Sequence, residues 1–326
     1  MKVGIDAIAY HGPEHYIDLS DLAIARGVDP AKYLYGLGQK KMAIATPCED
    51  TVTLAVNAGL KAIKNFNVDP AEIGTLVVGT ETGIDHSKPL AVYVHEALSL
   101  RTNCRTYETK HACFGAMAGL TSACDWITSK RAQGSKALVI AADIARYPLG
   151  DPGEPTQGAG AVAMIVSESP RLFSFHPVVT GDFTKQVMDF WRPLYSKVAI
   201  VDGHYSIQCY LEALEGTVKD ALGKTKTPKF YSVENLDSCF YHTPFVKMAK
   251  KAHHRHWEIL FKRAIHPEDP ENEKISDSYE KKVLPWLTYN SLVGNIYTGS
   301  IFLSLMEYLA EKEESANNII SLFFLW

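Results

Sequence analysis

Apolar positions along this 326-residue chain fall into two kinds of run. Continuous runs bounded by glycine or polar residues, Ile73 to Thr80, Lys136 to Ala142 and Gly160 to Val166, predict strands buried on both faces, and the alternating stretch Lys2 to Ala9 predicts a strand that opens the sheet. Helical spacing appears in Asp50 to Asn65 (Val52, Leu54, Ala55, Ala58, Leu60, Ile63), in Leu90 to Leu98, and past Cys113 to about Lys130 (Met117, Leu120, Ala123, Cys124, Ile127). A shorter helix over Leu19 to Arg26 stops at Gly27. Beyond Ser167 a similar order returns: a strand over Leu172 to Val179, a polar loop with Phe190-Trp191-Arg192-Pro193, a helix over Tyr205 to Leu222, a strand over Ser238 to Tyr241, and a helix from Thr243 to about Phe261. A charged linker, Glu268 to Lys274, then precedes a helical stretch Tyr279 to Tyr289, a helix reaching Leu309 and an apolar run Ile319 to Trp326. Strands alternating with helices predict an α/β fold with a parallel or mixed sheet covered on both faces. The matching order predicts two duplicated halves, 1–167 and 168–326, although no sequence repeat is visible by eye.

Composition narrows the function classes. A chain with 46% hydrophobic and 21% charged residues can bury a large core, and a net charge of -4 without a basic stripe argues against a nucleic-acid partner. No eighteen apolar residues run together, and the amino terminus is too short and too soon acidic for a signal peptide, so the expected location is the cytoplasm, away from any membrane. Six cysteines without a C-x-x-C fit reduced thiols, neither a disulfide framework nor a zinc site. His253, His254 and His256 fall on a surface-like helix without a carboxylate pattern, so no metal site is expected. Gly153 to Gly160 lacks the spacing of a P-loop or dinucleotide fingerprint.

Chemistry gathers at three strand ends. Cys113, in Lys110-His111-Ala112-Cys113-Phe114-Gly115, stands between an extended run and a helix, where free N–H groups and the helix dipole favour a thiolate and could receive an oxyanion. Gly115 and Gly119 leave room for a ligand or a close-packed strand. Glu81 follows a buried strand directly, at the carboxyl edge where open α/β sheets bind ligands. His242 follows Ser238 to Tyr241 and mirrors Cys113 in the second half. Each has a plain alternative: a buried packing cysteine, a solvated carboxylate, a hydrogen-bonded histidine. Together they would supply a nucleophile, a general acid/base and a group that polarises a carbonyl.

Five stretches in order, Gly79-Thr80-Glu81-Thr82-Gly83-Ile84-Asp85, Lys110 to Gly115, Gly153 to Met164, Phe240 to Met248 and Gly294 to Ser300, closely resemble the 3-hydroxy-3-methylglutaryl-CoA synthases, particularly their bacterial form. The resemblance runs from residue 1 to about residue 322. It implies a thiolase-like fold of two duplicated βαβαβαββ-type halves in α-β-α-β-α layers, the active site between them, a homodimer, and a place in the mevalonate pathway of isoprenoid biosynthesis. It implies that Cys113 takes the acetyl group of acetyl-CoA, that Glu81 removes a methyl proton so that the carbanion equivalent adds to acetoacetyl-CoA, and that His242 binds and polarises the acetoacetyl group. Asn295 then donates a hydrogen bond near the acyl groups and Tyr147 lines the pocket. Thr156, Phe190 and Pro193 line the approach, and Lys247 and Lys251 meet the CoA phosphates. The two CoA thioesters are substrates, and no cofactor or metal is implied. Without a ligand, Lys247 and Lys251 would be a solvated helix face and Asn295 would hold a turn.

The resemblance fails at Phe323-Phe324-Leu325-Trp326, where relatives carry a Ser-Tyr-Gly-Ser-Gly-like turn and continue. The expectation is a shortened second half and impaired activity. Two other readings share the same residues: a synthase adding β-branches to acyl groups on an acyl-carrier protein, and a noncatalytic remnant.

Overall fold

The computed structural model describes residues 2–176, 180–225, 232–311 and 318–323. In chain order its strands and α-helices are β1 (Val3–His11), β2 (His15–Asp18), α1 (Leu19–Ala25), β3 (Lys41–Ile44), α2 (Thr51–Asn65), β4 (Ile73–Gly79), α3 (Leu90–Ala97), β5 (Arg105–Thr109), α4 (Gly115–Thr128), β6 (Lys136–Ile144), β7 (Ala159–Glu168), β8 (Phe173–Ser174), β9 (Phe190–Trp191), β10 (Ile200–Val201), α5 (Gly203–Lys224), β11 (Ser238–Tyr241), α6 (Val246–Phe261), α7 (Glu271–Lys282), α8 (Thr288–Val293), α9 (Ser300–Glu311) and β12 (Ile320–Phe323).

The six-stranded sheet β5-β4-β6-β7-β1-β8 is mixed, with β4 parallel to β5 and β6, and β7 antiparallel to β6 and β1. Its inner strands are buried on both faces, as their unbroken apolar runs require, and the pleat sorts their side chains. Leu76, Val78, Leu138, Ile140, Ala161 and Ile165 pack under α2 and α3. Val139, Ala141, Val162 and Met164 face the other way, toward α4 and α9. In β1 the register shifts between Ile5 and Ala7, where the Asp6 carboxylate is held in two bonds by Arg171. Helix α2 starts at a capping box in which Asp50 and Thr53 bond each other's backbone, a device worth about 1 kcal/mol.

The second half departs from expectation in several places. The strand expected over Leu172 to Val179 is only Phe173–Ser174, with residues 177–179 outside the described set. Helix α6 begins at Val246 rather than Thr243, because Phe245 is extended. The expected linker Glu268 to Lys274 enters α7 at Glu271, and its acidic residues occupy that helix's first turn, where the dipole favours them. The single helical stretch Tyr279 to Tyr289 is instead interrupted at Pro285 by a 3-10 turn, Leu284–Trp286. Strand β12 pairs in parallel with β11, so the end of the described chain fixes the strand that leads to His242, and residues 324–326 lie outside the described set.

His253 and His256 are buried, contrary to the surface-like helix expected for them. Their Nδ1 atoms share the Tyr241 hydroxyl at 3.2 and 3.0 Å, while Trp257 Nε1 donates to His253 Nε2. Among the described residues no group of His, Cys, Asp and Glu is arranged to hold a metal, and no helix is long and apolar enough to cross a membrane. Burial first, then His256, Lys282 and His254, lowers His253 to about 3. An unfolded histidine protonates near 6.5, so below that pH only the unfolded chain gains the proton, and this stabilisation is lost as pH falls. The stability gap between the wild type and His253→Gln should therefore narrow by about 2 kcal/mol between pH 7.5 and pH 5, read from urea unfolding at each pH. A gap that stays constant rules out a buried neutral His253.

Candidate active site

Strand β4 ends at Gly79, and a Cβ built there would lie 2.2 Å from the Ala116 nitrogen. Only glycine allows β4 to reach the first turn of α4 this closely. That approach brings the residues after β4 beside those before α4. Glu81, buried, lies on the loop that follows, and Cys113, partly exposed, lies in the turn 110–114 between β5 and α4. The Cys113 thiol points its Sγ at Glu81 Oε1, 3.9 Å away. Ala112, immediately before the cysteine, has φ +37, a left-handed conformation that costs a non-glycine residue of order 1 kcal/mol and aims the side chain.

The Glu81 loop is fastened from below. Asp143 Oδ1 accepts from the Thr80 hydroxyl at 2.9 Å, the Glu81 N–H at 2.9 Å, the Thr82 N–H at 3.1 Å and the Thr82 hydroxyl at 2.7 Å. From above, Arg192 Nη2 donates to the Glu81 carbonyl oxygen. Burial and the neighbouring Asp143 raise the Glu81 carboxyl well above the carboxylate range, with Arg192 opposing. Asp143 is itself raised by burial.

The thiol behaves differently from the sequence expectation. Burial, with the charges of Glu81, Asp143 and Asp189, holds Cys113 well above an ordinary cysteine. The helix dipole favours a thiolate, but crowding by carboxylates outweighs it, so Cys113 rests as a thiol with its proton aimed at Glu81.

His242 follows β11 directly and is buried. Its N–H donates to the Phe323 carbonyl at 2.8 Å, and its own carbonyl accepts from the Tyr210 hydroxyl at 2.8 Å. Tyr210 stacks on the imidazole with the ring centroids 6.5 Å apart, and no hydrogen bond joins His242 to Cys113 or Glu81 among the described residues. Burial lowers the imidazole to about 3, and Nδ1 is enclosed without a hydrogen-bond partner among the described residues. A neutral ring with an unused nitrogen is ready to hydrogen-bond a guest.

Asn295 is buried, and its carboxamide oxygen accepts from the Tyr297 N–H at 2.9 Å and the Ser300 hydroxyl at 2.8 Å. It holds a turn through its carboxamide oxygen, the plain alternative for this residue. Its backbone N–H bonds the Thr156 carbonyl at 2.9 Å, tying the two halves together. Gly294, with φ +87, lies so close to Gln157 that a Cβ would meet its carbonyl oxygen at 2.0 Å. Burial, with Cys113 and Glu81 contributing, pushes the Tyr147 hydroxyl well above its usual range, and Phe190 packs edge-on against the Tyr297 ring. Phe190 and Pro193 belong to the segment that carries Arg192, and Phe190 and Trp191 pair with Val201 and Ile200 across β9 and β10. Lys247, half-buried, and Lys251, exposed, stand one turn apart near the start of α6. No hydrogen bond or ion pair joins either lysine to Cys113, Glu81 or His242 among the described residues.

Asp143, Arg192 and Tyr297 escaped the sequence reading. Asp143 did leave a trace, as an acid ending the apolar run Ala137 to Ala142. Such a side chain is buried only with several donors around it.

Comparison with known proteins shows what the whole chain is similar to. The family model described as "Hydroxymethylglutaryl-coenzyme A synthase N terminal" matches residues 1–170, and its C-terminal counterpart matches residues 173–273. A hydroxymethylglutaryl-CoA synthase of Enterococcus faecalis is 38% identical over 99% of this chain and 79% of its own length. A polyketide biosynthesis 3-hydroxy-3-methylglutaryl-ACP synthase, PksG, of Bacillus subtilis is 35% identical over 94% of this chain and 73% of its own length. The solved structure of MvaS in complex with 3-hydroxy-3-methylglutaryl coenzyme A superposes with a TM-score of 0.88 at 45% identity, covering 95% of this chain and 77% of that one.

Proposed function

Since this chain belongs to the hydroxymethylglutaryl-CoA synthase family and has its thiolase-like fold, it is an acyltransferase, and we propose that its own residues condense acetyl-CoA with acetoacetyl-CoA through an acetyl-cysteine. The observation that carries the reading is the Cys113 thiol directed at Glu81. Glu81 takes the thiol proton as Cys113 Sγ attacks the acetyl carbonyl and passes it to the CoA sulfur as the carbon–sulfur bond breaks, so that CoA leaves as a thiol and Glu81 is again a carboxylate. Glu81 then accepts a proton from the methyl group of acetyl-Cys113, the resulting carbon nucleophile adds to the ketone of acetoacetyl-CoA, and Glu81 returns the proton to the new alkoxide to give the hydroxyl group. His242, neutral because it is buried, donates a hydrogen bond to that ketone oxygen as it gains charge. Asn295 donates from its free NH₂ to the acyl oxygens, and Tyr147 closes the pocket. Water finally cleaves the enzyme thioester to give 3-hydroxy-3-methylglutaryl-CoA. On this reading the steps need only these side chains and water.

Incubation with acetyl-CoA, digestion and mass spectrometry tests the reading. An acetyl mass on the Cys113 peptide supports it, and an unmodified peptide under turnover conditions sinks it. Lys247 and Lys251 supply positive charge at the start of α6 for the CoA phosphates. Replacing both with glutamine should raise KM for acetyl-CoA about tenfold with kcat within twofold, the pattern of lost uniform binding. An unchanged KM places the phosphates elsewhere. The likeness to PksG keeps a carrier-protein acceptor as the second reading, and rates with acetoacetyl-CoA against carrier-bound acetoacetate separate the two.

A homodimer belongs to the same proposal. Strand β5 is the edge of the six-stranded sheet, paired only to β4 among the described residues, and it leads into the Cys113 turn. An open edge of this kind is a ready site for a second copy. Sedimentation at twice the chain mass of 36.1 kDa supports the pairing, and a single-chain mass at micromolar concentration counts against it.

A further inference from the structure

Helix α4 carries the nucleophile on its amino end, yet its own N-cap residue, Phe114, makes no side-chain cap. The first-turn N–H of Ala116, fully buried, is satisfied from 182 residues away by the Thr298 hydroxyl, at 2.7 Å. A buried helix-end donor of this kind needs a partner. The Thr298 backbone N–H in turn reaches Asp143 Oδ2 at 3.4 Å, and the other oxygen of Asp143 holds the Thr80 to Thr82 loop. Thr298 is completely buried in the turn Tyr297–Gly299, which leads directly into α9.

We propose that Thr298 is a positioning residue: by capping the nucleophile helix from the second half and bonding the aspartate that anchors the Glu81 loop, it sets the separation of Cys113 and Glu81. This rests on the reading of those two residues as nucleophile and acid/base. The bond also registers Asn295, three residues earlier, against the thiol. Because proton transfer and attack fall off steeply with distance, a shift of about 1 Å is worth up to about a hundredfold in rate. Thr298 has no exposed surface to offer a substrate, so substrate affinity should be set elsewhere.

Thr298→Val keeps the shape and removes the acceptor, whereas Thr298→Ser keeps the acceptor and removes a methyl group. The valine chain should lose ten- to hundredfold in kcat, with KM for acetyl-CoA within about twofold, and the serine chain should stay within about threefold of wild type. A packing role predicts the reverse order, with serine impaired and valine tolerated. If the valine chain is insoluble, Thr298→Ala supplies the contrast, since alanine and serine both lose the methyl group but only serine retains the oxygen. Serine and alanine variants that are equally slow overturn the inference, as does a valine chain with wild-type kcat. Acetylation of wild-type Cys113 is followed in the same experiment. An acetylated wild type beside a fully active valine variant refutes the role of Thr298 alone, whereas a wild type that takes no acetyl group refutes the nucleophile reading beneath it.

Discussion

Cys113→Ala should take no acetyl group from acetyl-CoA and should form 3-hydroxy-3-methylglutaryl-CoA at least about 10⁴-fold more slowly than the wild type. The size of the effect follows from the absence of a substitute. Cys104, Cys209 and Cys239 are buried, and Cys124 is held high by burial and Asp125, so none presents a thiol to a carboxylate base as Cys113 does. Cys48 is exposed, with no acid bonded to it among the described contacts. Alanine fits the site without strain beyond that already present at Ala112, so the chain should still unfold cooperatively. Radiolabel from acetyl-CoA and a coupled assay for product, on the same preparation, check the prediction. Residual turnover above about one part in a thousand would mean that the acetyl group travels without residue 113.

Glu81→Gln should slow overall synthesis by about 10² to 10⁴-fold, the usual worth of a general acid/base. Glutamine fills the same buried space and leaves the backbone bonds to Asp143 and Arg192 in place, so the change isolates the titrating group. Two steps use that carboxylate unequally. Acetylation can still draw on the strong nucleophilicity of sulfur, whereas deprotonating a methyl group needs a positioned base, and the neighbouring Asp143 is already taken up by the Thr80 to Thr82 loop, so acetyl-enzyme should accumulate. Rapid quenching with labelled acetyl-CoA should find most of the enzyme acetylated at steady state. Product formation within threefold of wild type would remove Glu81 from the chemistry.

The first half was legible in sequence because its strands are buried on both faces. Unbroken runs such as Ile73 to Gly79 and Gly160 to Val166 leave little choice of element, and the capped periodicity of Thr51 to Asn65 leaves none. The second half was read less well where local signals compete. Acidic residues at the start of α7 look like a solvated linker until the helix dipole is considered, and Pro285 turns an apparent helix into two. His253 and His256 looked exposed because neighbouring lysines gave α6 a polar appearance, yet Tyr241 offers a hydroxyl that two rings can share inside the core. At the site, strand-end position made Cys113, Glu81 and His242 candidates, each with a plain structural alternative that position alone did not remove. Their supports were not legible, because Asp143 and Thr298 act through bonds spanning 62 and 182 residues, which no local pattern records. The direction of the thiol's shift was missed for the same reason. The helix start is visible in sequence, whereas the three carboxylates around the sulfur are not.

The contact at Gly79 bears on how this centre could be lost. A methyl group there would collide with backbone, which cannot rotate out of the way, so β4 and α4 would have to part. A Gly79→Ala chain would retain every reactive side chain in its sequence while drawing acid and sulfur out of reach of each other. An inventory of functional groups would score that protein as intact, because what it lacks is an empty space.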